Sequence, residues 1–162
     1  MTSRPTFYLD DLHVGMSEFS PARTVTEADI VMFAGLSGDF NWLHTDALEA
    51  AESEFGERIA HGLLGVSIAS GLFARTALSQ SLERALVAML GLDCRFEGPI
   101  RIGDTLHVEA EVVGLRPTTD RTRGIVTIER RVINQRGERV QLLTTPMLIR
   151  RSLAATQEVS AS

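Results

Sequence analysis

The pattern of apolar and polar positions divides the chain into a helical first half and a stranded second half. Thr26-Glu27-Ala28-Asp29 has the form of a capping box, with Thr26 as N-cap and an acid at the third helical position. Ile30, Val31, Phe33 and Ala34 then fall on one side of a short helix, which Gly35 and Gly38 bring to a stop. A second short helix is expected from Asp46, with Glu49 three residues on, to about Gly56. Residues 39–45 between them read as a non-helical link. A third, longest helix opens at His61-Gly62 and is expected to run to about Ser81. Its apolar residues, Leu63, Leu64, Val66, Ile68, Ala69, Leu72, Phe73 and Leu78, spread widely around it, so other structure should enclose it. Strands follow over 85–96, 105–115, 124–134 and 140–150. In the second, Leu106, Val108, Ala110 and Val112 share a face. In the third, Val126, Ile128 and Val132 share one with Arg130, which interrupts the apolar pattern. Asn134-Gln135-Arg136-Gly137 is a hairpin turn. Helices first and an antiparallel meander afterwards make an α+β domain, with helices gathered on one face of the sheet and the sheet curled around the long helix.

Composition narrows the class. The chain has 162 residues, enough for one domain that folds without staples. A net charge of −5 offers no footprint for nucleic acid. The most apolar stretch, residues 60–82, is interrupted by Arg75 and several serines, which suits a buried helix rather than a membrane span. Cys94 is the sole cysteine, so no internal disulfide can form; it sits in an apolar run and reads as core. Residues 1–10 lack a basic segment leading into an apolar run, so no secretory signal is expected, and a reducing, cytoplasmic setting is the simplest reading. Residues 1–151 are read as the domain, and 152–162, small and polar, as a loose tail.

Candidate chemistry concentrates in Ser37-Gly38-Asp39-Phe40-Asn41-Trp42-Leu43-His44. Asp39 is an acceptor or base when ionised, and His44 gives or takes a proton near neutral pH. Five residues apart on a helix they would share a face poorly; on a bent link they can converge on one water. Gly38 permits the bend and Asn41 can hydrogen-bond backbone to hold it. The same residues also fit a plainer role, with Asp39 and Asn41 capping a turn and His44 on the surface. His61-Gly62 begins the long helix, where free N–H groups and partial positive charge could receive an oxyanion. From the residues alone, a glycine needed for helix–sheet packing is the plainer reading there. Ser70, about two turns on, could bond the carbonyl four residues back or orient a side chain above it, and Gly71 beside it allows close approach. Residues 96–106 read as a structural turn between strands, with Glu97 and Asp104 solvated.

Three blocks together resemble the MaoC-like dehydratases and (R)-specific enoyl-CoA hydratases. They are residues 36–44, then Ile59-Ala60-His61-Gly62-Leu63-Leu64 with Ser70-Gly71, then 96–106 with Pro99 and Gly103-Asp104-Thr105-Leu106, and they stand in the family's order. The resemblance implies a hotdog fold, in which a curved antiparallel sheet wraps one long helix. It implies a homodimer joined edge to edge and an acyl-CoA substrate near the interface. The catalytic pair would be Asp39 and His44. Gly62 would offer its N–H to the thioester oxygen, Ser70 would support the imidazole, and Asn41, Trp42 and His61 would border the substrate. No metal or redox cofactor is implied; coenzyme A enters as part of the substrate. Trp42 departs from the family's usual proline, restoring a backbone N–H and adding a large ring, which puts the acyl pocket in question. The implied reaction is hydration of a trans-2-enoyl-CoA to an (R)-3-hydroxyacyl-CoA. An acyl-CoA thioesterase and a non-catalytic acyl-binding subunit are the alternatives, since one fold hosts several chemistries.

Overall fold

The structure is a computed structural model that describes residues 5–152. A 3-10 turn (Leu9–Asp11) comes first, followed by two short strands, β1 (Ser17–Phe19) and β2 (Arg23–Thr24). Five helices follow: α1 (Glu27–Ser37), α2 (Trp42–Thr45), α3 (Ala47–Ala51), α4 (Gly62–Ala74) and α5 (Ala77–Leu82). The remaining strands are β3 (Leu86–Met89), β4 (Asp93–Phe96), β5 (Thr105–Pro117), β6 (Arg123–Ile133) and β7 (Arg139–Arg150). All pairings are antiparallel, in the order β1-β5-β6-β7-β3, with β2 also on β5 and β4 also on β7. The strands wrap α4, which buries Leu64, Ile68, Leu72 and Phe73 against Leu106, Val108, Val112, Val126, Ile128 and Leu143 in one core. Burying one such aliphatic chain contributes about 1.5–3 kcal/mol, so this seam is what holds sheet and helix together. The expected hotdog arrangement is present.

The sheet's face pattern follows the sequence closely. β5 and β6 alternate buried and half-buried residues along most of their length. Arg130 is buried with its apolar neighbours at 5% exposure. Its guanidinium donates to the Thr145 hydroxyl and lies 5.4 Å over the Phe73 ring, contacts that make a charge tolerable there.

Several boundaries differ from expectation. The long helix stops at Ala74; Thr76 breaks it by accepting from Ser79 N–H at 3.1 Å, which caps a separate α5. The expected strand over 85–96 is two strands, because β7 carries Pro146 opposite the break. Proline has no N–H to give the ladder, and its carbonyl takes Leu90 N–H at 2.9 Å before regular pairing lapses over 91–92. Val31 is 59% exposed, so the buried side of α1 is carried by Ile30 and Ala34. Gly35 lies within α1, and Gly38, at φ 76°, is what ends it. α3 is capped by Asp46 as expected but ends at Ala51. Cys94 is half-buried at the rim of the core.

Asp104 is buried, not solvated. It accepts from Arg101 N–H at 2.9 Å, Gln135 at 2.9 Å and Arg136 at 2.7 Å, tying the 96–106 turn to the 134–137 hairpin. Burial alone would raise its carboxyl, but these donors outweigh it and hold the group below its ordinary range. Ser152 N–H donates to Asp10 at 3.0 Å, so the expected tail is anchored at its first residue; 153–162 lie outside the described residues.

Candidate active site

The link after α1 is not fully extended. Asp39 and Asn41 precede α2, whose single turn carries His44, so the expectation of a non-helical 39–45 holds only to residue 41. The reason is local: the Asn41 carboxamide accepts from Leu43 N–H at 2.9 Å and caps the turn. Asp39 Oδ1 accepts weakly from Asn41 N–H at 3.2 Å. The capping role is thus real for Asn41 and shared by one oxygen of Asp39, which leaves the other Asp39 oxygen and the His44 ring for other partners.

They converge with His61. A carboxylate oxygen of Asp39 and one ring nitrogen each of His44 and His61 lie within 4.8 Å of one another. His44 Nδ1 stands 2.8 Å from the Ile59 carbonyl oxygen. A carbonyl only accepts, so Nδ1 carries the proton and Nε2 is the atom left for chemistry. His61, the residue before α4, bonds the Asp39 carbonyl through Nε2 at 2.9 Å, fixing the loop that carries the acid. Its ring stacks on His44, with centroids 3.8 Å apart and planes 30° apart, and Phe33 backs it at 5.0 Å. His61 Nδ1 is buried with no protein partner. Asp39 is exposed, His44 half-buried and His61 buried, so the triad runs from solvent inward.

Three such groups can be weighed as a cation site. Imidazole binds metal through in-plane lone pairs. Two stacked rings aim those lone pairs side by side rather than at one point, and one nitrogen on each is engaged with a carbonyl. The set suits a small hydrogen-bonding molecule better than an ion.

A cavity of about 600 Å³ opens beside His44 and Gly62. Phe55, Ile59, Ala60, Leu63, Phe96, Pro99 and Ile100 make its apolar wall, and Gln141 joins them. Gly62 is the first residue of α4, where the N–H has no partner within the helix. A Cβ at Gly62 would stand 2.6 Å from the Phe96 ring, so the packing reason for glycine is met as well. Beyond Glu97, Gly98 and Pro99 a second cavity of about 640 Å³ is bordered by Arg101, Arg136 and Arg139.

Asp39, His44, His61 and Gly62 are therefore together, with Asn41 shaping their loop. Ser70 is not with them: it is exposed, nine residues and so roughly 13 Å along α4 from His61. Trp42 is 45% exposed and does not line the cavity. Phe55 and Gln141 belong to the wall but carried no motif, and Phe96, which opens the third block, was read only as part of a structural turn. One signal marks Gln141: it falls in phase with Leu143, Thr145, Met147 and Ile149, the buried side of β7.

Comparison with known proteins gives this geometry a context. Residues 13–134 match the model for the MaoC like domain. Protein MaoC of Klebsiella aerogenes is 44% identical over 102 residues, which cover 62% of this chain and 29% of that protein, so the likeness spans under a third of its length. An (R)-specific enoyl-CoA hydratase of Rhodospirillum rubrum is 35% identical over 130 residues, covering 75% of this chain and 86% of the relative. The solved structure of an Archaeoglobus protein described as a monoamine oxidase regulatory protein aligns at a TM-score of 0.88 and 38% identity, over 94% of this chain and 99% of that one. With a family model spanning most of its length and relatives alike in both sequence and fold, the chain belongs to the MaoC-like dehydratase family.

Proposed function

We propose that the protein reversibly hydrates a trans-2-enoyl-CoA to the (R)-3-hydroxyacyl-CoA. The observation that carries this reading is the meeting of the Asp39 carboxylate with the His44 imidazole at the edge of a largely apolar cavity that begins at a helix N-terminus. The likeness to an (R)-specific hydratase along most of both chains supports it.

In the proposed mechanism, Asp39 and His44 Nε2 hold one water between them. One group removes a proton as the water oxygen attacks C3. Electrons shift through C2 toward the thioester oxygen, which Gly62 N–H stabilises. The proton held by the pair returns to C2, so H and OH are added across the double bond. The two groups act as a coupled pair. A preorganised donor of the Gly62 kind contributes about 3–4 kcal/mol in other enzymes. No metal or redox group takes part. His61 keeps the Asp39 loop and the His44 ring in register, the role first expected of Ser70.

The apolar cavity takes the acyl end, and the arginine-bordered cavity beyond Pro99 suits the phosphates of coenzyme A, though Arg101, Arg136 and Arg139 each already pair with an acid. We take residues 1–151 as one domain working as a homodimer in the cytoplasm. The β3 edge supports assembly: Leu86, Val87, Met89, Leu90 and Leu92 are all exposed there. Among the described residues no helix is long and apolar enough to cross a membrane.

The test is an assay of the wild-type protein on crotonyl-CoA and longer enoyl-CoAs, with chiral analysis of the product. Loss of enoyl absorbance with formation of the (R)-3-hydroxy thioester is expected. Release of free thiol would replace the reading with thioester hydrolysis, and binding without turnover would replace it with an acyl-binding subunit.

A further inference from the structure

Gln141 is a buried amide in an apolar wall, at 1% exposure. Its Nε2 donates to the Gly62 carbonyl at 2.8 Å, while its Oε1 is buried with no donor. An orphaned buried acceptor is a cost that a leucine or methionine there would not carry. A second cost stands opposite. Gly65 lies early in α4, where glycine weakens a helix, and a Cβ there would sit 2.5 Å from both Gln141 Nε2 and Ile100 Cδ1, so glycine makes room for the amide and for its apolar neighbour together. The orphaned acceptor is thus accepted to place one donor on one carbonyl, and Gly65 leaves the room for it. The register adds a third feature. Gln141 of β7 pairs with Phe96 of β4, and the Phe96 ring rests on the Gly62 α-carbon. The cross-strand partners hold Gly62 from two sides, by ring and by amide.

We propose that Gln141 is a positioning residue for hydration: by holding the Gly62 carbonyl while Phe96 packs against the Gly62 α-carbon, it fixes the backbone at the start of α4 and so aims the N–H of the preceding His61–Gly62 peptide at the thioester oxygen. The proposal rests on the hydratase reading and extends it to a residue outside the three motif blocks. Gln141 acts through Gly62 and bears no reacting atom. His44 and Glu97 are the titratable groups that share this cavity wall.

Two variants test it. Gln141→Met keeps the size and removes the donor. It should lower kcat for crotonyl-CoA at least tenfold, change KM less than threefold, and leave the melting temperature unchanged or raised, since the orphan acceptor is gone. Gln141→Glu restores a donor only when its carboxyl is protonated. Its activity relative to wild type should therefore be highest at acid pH and fall as pH rises, a trend that Gln141→Met does not share. Amide exchange over residues 62–66 should quicken in Gln141→Met. Wild-type kcat in Gln141→Met, or a Gln141→Glu profile parallel to wild type, would overturn the proposal. If the wild type hydrates no enoyl thioester, the hydratase reading itself fails. The exchange rates then decide the point alone: unchanged protection of residues 62–66 would remove Gln141's hold on Gly62.

Discussion

Gly62 shows how one residue answers to two constraints. Its hydrogen atom leaves room for the Phe96 ring, and its N–H opens α4 beside His44. Gly62→Ala should therefore cost activity by pushing Phe96 or the helix start aside. Because the colliding atoms belong to an exposed side chain, Phe96→Ala in the same molecule should restore part of the loss. Steady-state kinetics on the single and double variants measures this; no recovery would mean that the helix start, not the ring, had moved. At this scale the convergence of the candidate residues was partly legible. Asp39 and His44 announce themselves by type and by the glycine that bends the chain before them. The His61 stack does not, because ring contact across 17 positions leaves no local pattern. Ser70 misled for the converse reason: its spacing places it on the right helix, but only the turn of that helix decides which way it points.

At the scale of elements, the sequence predicted types well and ends poorly. Alternation in β5 and β6 named the buried face, Arg130 included, since period-two burial is a local property. Helix α4 overran its true end because 77–82 are helical in their own right, with Leu78 and Leu82 continuing a buried side after Thr76 has broken the hydrogen-bond run. The strand break opposite Pro146 depends on a partner some 55 positions away in the chain, which no window reveals. Asp104 hid in the same way: its donors come from two separate turns. Asp104→Asn should cost about 1–3 kcal/mol, because an amide NH₂ must then face one of those donors. The sign with pH follows from the lowered carboxyl. Its contribution is complete above the unfolded value of about 4 and disappears as pH falls through the lower folded value. Urea unfolding across pH 2 to 7 should show the wild type losing more stability on acidification than Asp104→Asn. Parallel curves would place the acid sensitivity elsewhere.

At the scale of the whole molecule, the fold places Asp39 on an outer loop and Gly62 at the start of the enclosed helix, and His61 joins the two across the seam through the Asp39 carbonyl. The apolar β3 edge lies at one margin of the sheet. Met89→Asp should convert the proposed dimer to a monomer in light scattering at micromolar concentration; a wild type that is already monomeric would remove that part of the account. The central claim is that Asp39 and His44 work as one unit on one water, and a double-mutant cycle on crotonyl-CoA hydration tests it most directly. Asp39→Asn and His44→Ala should each lower kcat/KM by at least about a hundredfold, and the double variant should lose little more than either. Near wild-type turnover in either variant, or losses that multiply in the double, would contradict it.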